Sequence, residues 1–168
     1  MEKFNNRPIL KVLTQEAIDT CLDDDLIQLV FDNISLKVED DYDNSFETIQ
    51  GLSEGRQAIY SIWLVEGEVN NGGFNQFYFN SSGEFAEMAV NGFELVGAVE
   101  YATLMKRANK IYAEQNIGDR QDRTIEDFSE SYDDNPLNDL DTEFYDMQED
   151  LYSLQVQFIR DNKKQFID

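Results

Sequence analysis

Carboxylates are the one class of reactive side chain that this chain holds in number: thirty-five Asp and Glu, against thirteen Lys and Arg, no histidine and one cysteine, Cys21. Without histidine there is no Ser-His or Cys-His nucleophile and no imidazole base. One Cys and no His also leave no ordinary zinc site. A phosphate loop is missing, because the stretch from Gly51 to Gly55 is not followed by Lys-Ser or Lys-Thr. Paired carboxylates can run a glycosidase, but among thirty-five acids no pair stands out. Calcium fares no better. Asp41, Asp43 and Ser45 begin like an EF-hand loop, yet Phe46 stands where glycine is required and Leu52 where the bidentate Glu belongs. Asp139, Asp141 and Glu143 fail in the same way at Phe144. The chain is therefore expected to be no enzyme, with no cofactor and no specific metal.

What the carboxylates can do is attract positive charge. The net charge of −22 falls in two blocks. Residues 19–47 sum to −9 and residues 119–150 to −11, flanking a nearly neutral middle. Such a chain repels nucleic acid and anionic lipid, and attracts basic protein faces. The excess is also well beyond the charge of about 2–8 that keeps a small domain soluble.

The elements that must position these acids read as helices. A length of 168 residues suits one domain, 1–168, and two prolines and nine glycines favour helices over many short strands. Thr14 is placed to cap a first helix with Ala17, Ile18, Cys21 and Leu22 on one side, which makes Cys21 a small core residue. Leu26, Ile27, Val30, Phe31 and Ile34 form a second stripe. Residues 39–44 read as an acidic loop. Ser53 opens a helix through Ala58, Ile62 and Val65 that should stop near Asn70, Asn71, Gly72 and Gly73. Phe74, Phe77 and Tyr78 have the spacing of a short helix. Another starts at Ser82 or Gly83 and is broken by Gly97, and residues 98–116 are helical again. Thr124 with Asp127 resembles a capping box. Pro136 suits a helix start. From there Leu137, Leu140, Phe144, Met147, Leu151, Leu154 and Phe158 predict one long amphipathic C-terminal helix, with Tyr145, Tyr152, Ile159 and Phe166 in a parallel row. The expected fold is all-α, a compact multi-helix single domain.

On that last helix Asp139, Glu143, Asp146, Glu149 and Asp150 fall on the face opposite Leu137. With Asp119, Asp122, Glu126, Asp127, Glu130, Asp133 and Asp134 they form the first candidate partner-binding surface. Asp23, Asp24, Asp25, Asp40, Asp41 and Asp43 form the second. Duplex DNA carries one charge per about 1.7 Å of its axis. Several acidic helices on one face approach that density and would compete with DNA for the Lys and Arg of a DNA-binding protein. The sequence has no run of about 18 apolar residues to cross a membrane, and residues 1–13 hold no apolar segment of signal-peptide type, so the expected location is the cytoplasm.

Glu68, Asn71, Gly72, Gly73, Phe74, Gln76, Phe77 and Asn80 form the pattern Glu-x-x-Asn-Gly-Gly-Phe-x-Gln-Phe-x-x-Asn. In this the chain resembles a family of small bacterial domains of unknown function that includes a DNA-mimic protein. The similarity runs from about Ser53 to Ile111. It implies an all-helical fold and a homodimer, and for the DNA-mimic member it implies binding to a transcription factor and relief of its repression. The motif's own chemistry reads as structural: two glycines end a helix tightly, Phe74, Phe77 and Phe79 pack beside them, and Gln76 bonds Glu68 across the turn. The function expected first is that of a DNA mimic that binds a basic DNA-binding protein and no nucleic acid itself. The alternatives are an immunity-type inhibitor of a basic toxin enzyme and a small-molecule-binding domain built on the Asn-Gly-Gly-Phe turn.

Overall fold

Local signals set most of the helix starts. A computed structural model describes residues 9–38, 44–114 and 135–168. The Thr14 hydroxyl accepts from the Ala17 N–H at 3.1 Å and opens α1, Gln15–Thr20. Three aspartates in the first turn suit the positive end of α2, Asp23–Val38. α3 is Ser45–Gln50. Ser53 caps α4, Glu54–Phe79, through the Arg56 N–H. A 3₁₀ turn, Ser81–Phe85, leads into α5, Ala86–Val96. α5 ends on Gly97 in the left-handed conformation, φ 86°. α6 is Val99–Glu114, α7 is Leu137–Asp146 with Pro136 before it, and α8 is Leu151–Asp161. The described residues are all-α, without a strand.

α4 is the central element. With α5, α6 and α7 it encloses a core that includes Ile62, Val65, Phe74, Phe77, Tyr78 and Phe93. On its other side its first half meets α1, α2, α3 and α8 around Leu13, Leu26, Val30, Ile34, Ile59 and Ile159. α4 and α5 approach so closely that a Cβ on Gly92 would lie 3.0 Å from the Ala58 Cα. The two ends of the described chain are joined by charge. The Asp168 carboxylate accepts from the Leu13 N–H at 2.8 Å, Lys37 at 2.7 Å and the buried Arg56 at 2.8 Å. Burial would raise its pKa, but these three donors together hold it well below the usual carboxylate range.

The long C-terminal helix expected from the stripe is two helices. The backbone leaves the helical region at Met147, ψ 131°, and re-enters at Leu151. The cause lies in the two acids between. The Glu149 carboxylate turns back to accept from the N–H groups of Glu100 and Tyr101 at 3.1 and 3.2 Å, which satisfies the open start of α6. Asp150 accepts from the Ser153 N–H at 3.0 Å and starts α8. The apolar face survives the break, with Leu137, Leu140, Phe144, Leu151 and Ile159 all buried. It does not run on unchanged, for Gln155 and Val156 are buried in α8 while Tyr145 and Tyr152 are exposed. Leu22, placed by its spacing on the α1 stripe, is also exposed, because α1 stops at Thr20.

Candidate functional site

The motif lies at a kink in α4. Gly72 (φ −156°, ψ 25°) and Gly73 (φ 74°, ψ −179°) depart from helical geometry, which is where the sequence expects the helix to end. A kink frees backbone groups that need partners, and α7 supplies them. Asp141 accepts from the Phe74 N–H at 2.7 Å, so a carboxylate sits at the new helix start. The Tyr145 hydroxyl donates to the Val69 carbonyl at 2.6 Å. Phe144 meets Phe74 edge to face, and Asn135 donates to Asn75 at 3.2 Å. Burial raises the Asp141 carboxyl pKa, against the pull of the Phe74 N–H.

The motif's polar members converge on one carboxylate. Glu68 accepts from Gln76 at 2.6 Å, Asn80 at 2.9 Å and Ser82 at 2.9 Å, so the expected Glu68–Gln76 bond is present. Phe74 and Phe77 are buried, Phe79 is half-buried, and Asn71 is exposed. Sequence reasoning assigned neither Asp141 nor Tyr145 a role here, although both hold the kink closed.

The acidic residues divide by task. Asp40, Asp41, Asp43, Asp119, Asp122, Glu126, Asp127, Glu130, Asp133 and Asp134 lie outside the described residues, as does the Thr124–Asp127 box. Of the remainder, Glu143 forms a two-pronged pair with Arg107 of α6, at 2.5 and 2.8 Å. Glu149 and Asp150 are caps, as described above. Asp23 pairs with Arg160 of α8 at 2.5 Å. Asp24, Asp25, Asp139 and Asp146 are exposed, and none of the four forms an ion pair with a described residue. The start of α2 reaches the start of α8. Burial, followed by the charges of Asp24, Asp23 and Asp25, raises the Tyr152 phenol pKa. Tyr152 stands two residues beyond Asp150, so the acidic start of α2 lies near the end of the second block.

Two further groups bear on chemistry. Burial and the Asp25 charge raise the Cys21 thiol pKa, so the thiol stays protonated and weakly nucleophilic. Among the described residues no group of His, Cys, Asp and Glu is placed to hold a metal, and no helix is long and apolar enough to cross a membrane.

Glu66 of α4 has no described cation beside it and accepts from the Gln155 amide at 3.2 Å, while the Gln155 Oε1 is buried without a partner among the described residues. Burial raises the Glu66 pKa, and the Gln155 bond only partly offsets it. A carboxyl with a raised folded pKa binds its proton more tightly in the folded state. Its contribution to stability is therefore complete below the ordinary Glu range and is lost as pH rises through the raised value. Glu66→Gln stays neutral, and its amide can donate to the orphan Gln155 oxygen. We expect it to be more stable than the parent at pH 7 by about 1 kcal/mol, with the difference shrinking towards pH 4. Urea melts at the two pH values measure this difference, in which the titrations of Asp141 and Asp168 cancel. A variant less stable than the parent at pH 7 would contradict it.

Comparison with known proteins places most of the chain in one family. No curated protein and no solved structure matches it. A family model described as "DMP19-like protein" matches residues 50–162, from the end of α3 past α8, and so takes in the motif, the kink and the α7 clamp. The chain belongs to the DMP19-like protein family.

Proposed function

We propose that this protein is an acidic, DNA-mimic-like binder of a basic DNA-binding protein such as a transcription factor, acting in the cytoplasm as a homodimer and blocking its partner's access to DNA. The observation that carries the reading is the placement of charge. Two blocks supply −20 of the −22, and the three aspartates at the start of α2 lie near Tyr152 at the start of α8. Membership of the DMP19-like family supports the reading, given the DNA-mimic protein in the family that the motif resembles. The carboxylates proposed to meet the partner are the exposed ones, Asp24, Asp25, Asp139 and Asp146, together with Asp40, Asp41, Asp43 and those of residues 119–134. Glu143, Glu149 and Asp150 are fitted first to structural tasks.

The test begins with capture of the partner from a native lysate on immobilised protein. A repressor or nucleoid protein is expected. The complex should then compete with duplex DNA, and its affinity should fall as salt rises. The salt slope should be shallower than the partner's slope on DNA, because a folded protein releases fewer condensed ions than a polyelectrolyte. Capture of a secreted toxin enzyme would favour the immunity-type reading instead. A partner bound away from its DNA-binding face would end the mimicry reading.

A further inference from the structure

One glycine of α4 has no steric reason to be glycine. Gly55 abuts Gln165 and Phe166, Gly72 abuts Gln76, and Gly73 needs its positive φ. At Gly67 an added Cβ would meet nothing within 4 Å among the described residues, and its backbone is helical. Glycine inside a helix lowers stability relative to alanine, and its usual compensation is room for a close neighbour. The space over Gly67 is a groove of about 540 Å³. Its lining includes Phe31 and Trp63, stacked at 4.4 Å, and Glu68, Asn71, Gln76 and Asn80. A second hollow of about 400 Å³ shares Leu64, Glu68 and Asn80 with it.

The chemistry of this groove has one sign. Glu68 takes three neutral donors and forms no ion pair with any described Lys or Arg. A carboxylate has about four lone-pair positions, so acceptor capacity remains. Gln76 and Asn80 direct their NH₂ groups at Glu68, and the Gln76 Oε1 lies against Gly72. The groove thus offers a negative charge beside two aromatic rings, and no positive charge among the described residues. An anion is repelled there. A cation on an alkyl stem meets every requirement: its head bonds the carboxylate and its flat face or stem lies on the rings. Guanidinium, planar and with five donors, fits better than ammonium.

We propose that the groove over Gly67 is a binding site for an alkylguanidinium group, an arginine side chain being the best match. It rests on the reading above only for the carrier of that group, which is then an arginine of the basic partner. Free arginine or a guanidino metabolite has the same head.

Trp63 is the single tryptophan, so its fluorescence reports on this groove alone. The protein is titrated with N-acetyl-arginine amide, with the lysine analogue, and with the citrulline analogue, which has the same shape without the charge. The expected result is a saturable change in Trp63 emission with arginine, a weaker response to lysine, and citrulline binding weaker by about tenfold or more. Gly67→Leu should fill the groove without touching the core and abolish the response, with unchanged helical circular dichroism. Glu68→Gln serves as a second variant of equal size and should weaken arginine binding while leaving citrulline binding as it was. No saturable change with arginine, an equal response to citrulline, or undiminished binding by Gly67→Leu would each overturn the site. Any of these would leave the acidic-surface reading standing, because that reading is tested by DNA competition. Conversely, a captured partner that is not basic would end the surface reading without touching the titration. If Gly67→Leu loses the captured partner as well, the guanidinium belongs to that protein. If the variant keeps the partner, the ligand is the free small molecule.

Discussion

Replacing Gly73 with alanine is expected to destabilise the protein by about 3–5 kcal/mol, combining a backbone term with a lost buried hydrogen bond. Gly73 holds φ 74° with ψ −179°, a region that only glycine occupies readily. A Cβ there would also fall on the Asp141 carboxylate. Asp141 would have to leave the Phe74 N–H, opening the contact that seats α7 on the kink. Total stabilities run to about 5–15 kcal/mol, so a loss of this size approaches unfolding. Urea melts measure it, and Gly67→Ala is the matched control. Six residues earlier in the same helix, where the Cβ has open space, that change should raise stability by about 0.5–1 kcal/mol. A double variant distinguishes the two parts of the Gly73 effect. In the Gly73→Ala background, Asp141→Ala should cost less than in the parent, because the carboxylate has already been displaced. If Gly73→Ala falls within about 1 kcal/mol of the parent, Gly73 and the Asp141 bond do not hold α7 on the kink.

The second large effect concerns binding. Reversing Asp25, Asp139 and Asp146 to Lys is expected to weaken the partner complex by at least about tenfold, equivalent to 1.4 kcal/mol. Each reversal adds two charges, so three take the net charge from −22 to −16. The positions matter more than the sum. A set that included Glu143, Glu149 or Asp150 would also break the Arg107 pair, the start of α6 or the start of α8. A loss of binding would then say nothing about the surface. The three chosen acids are exposed and form no ion pair with a described residue. Asp25 and Asp139 lie in first turns, where Lys opposes the helix dipole at about 0.3–1 kcal/mol each. The matching triple Asn variant therefore runs alongside. It should stay folded and bind with intermediate affinity. Competition with labelled duplex DNA for the captured partner gives the readout. A folded triple Lys variant that displaces DNA as well as the parent would rule these carboxylates out, and the charges of residues 119–134 would be left to carry the surface.

By itself the sequence determined what depends on near neighbours. Thr14, Ser53, Gly97 and Pro136 mark real helix boundaries, because capping and left-handed termination involve groups within one turn. The apolar spacings settled the all-α class, and the paired glycines marked the kink. The Glu68–Gln76 bond was legible too, since it spans eight residues across that kink. The tertiary structure alone decided which acids are available to a partner. Glu149 and Asp150 have the spacing of an outer helical face, yet the helix ends before them because Glu149 is drawn to N–H groups 49 and 48 residues away. Glu143 is claimed by Arg107 over 36 residues, and the start of α2 is brought to Tyr152 by packing that no local pattern records. Asp141 lies between these cases. On a helical wheel it stands about 40° from Leu137, on the apolar side. A carboxylate there signals a buried partner, but only the fold identifies it as the Phe74 N–H, 67 residues earlier, freed when Gly73 turns the chain.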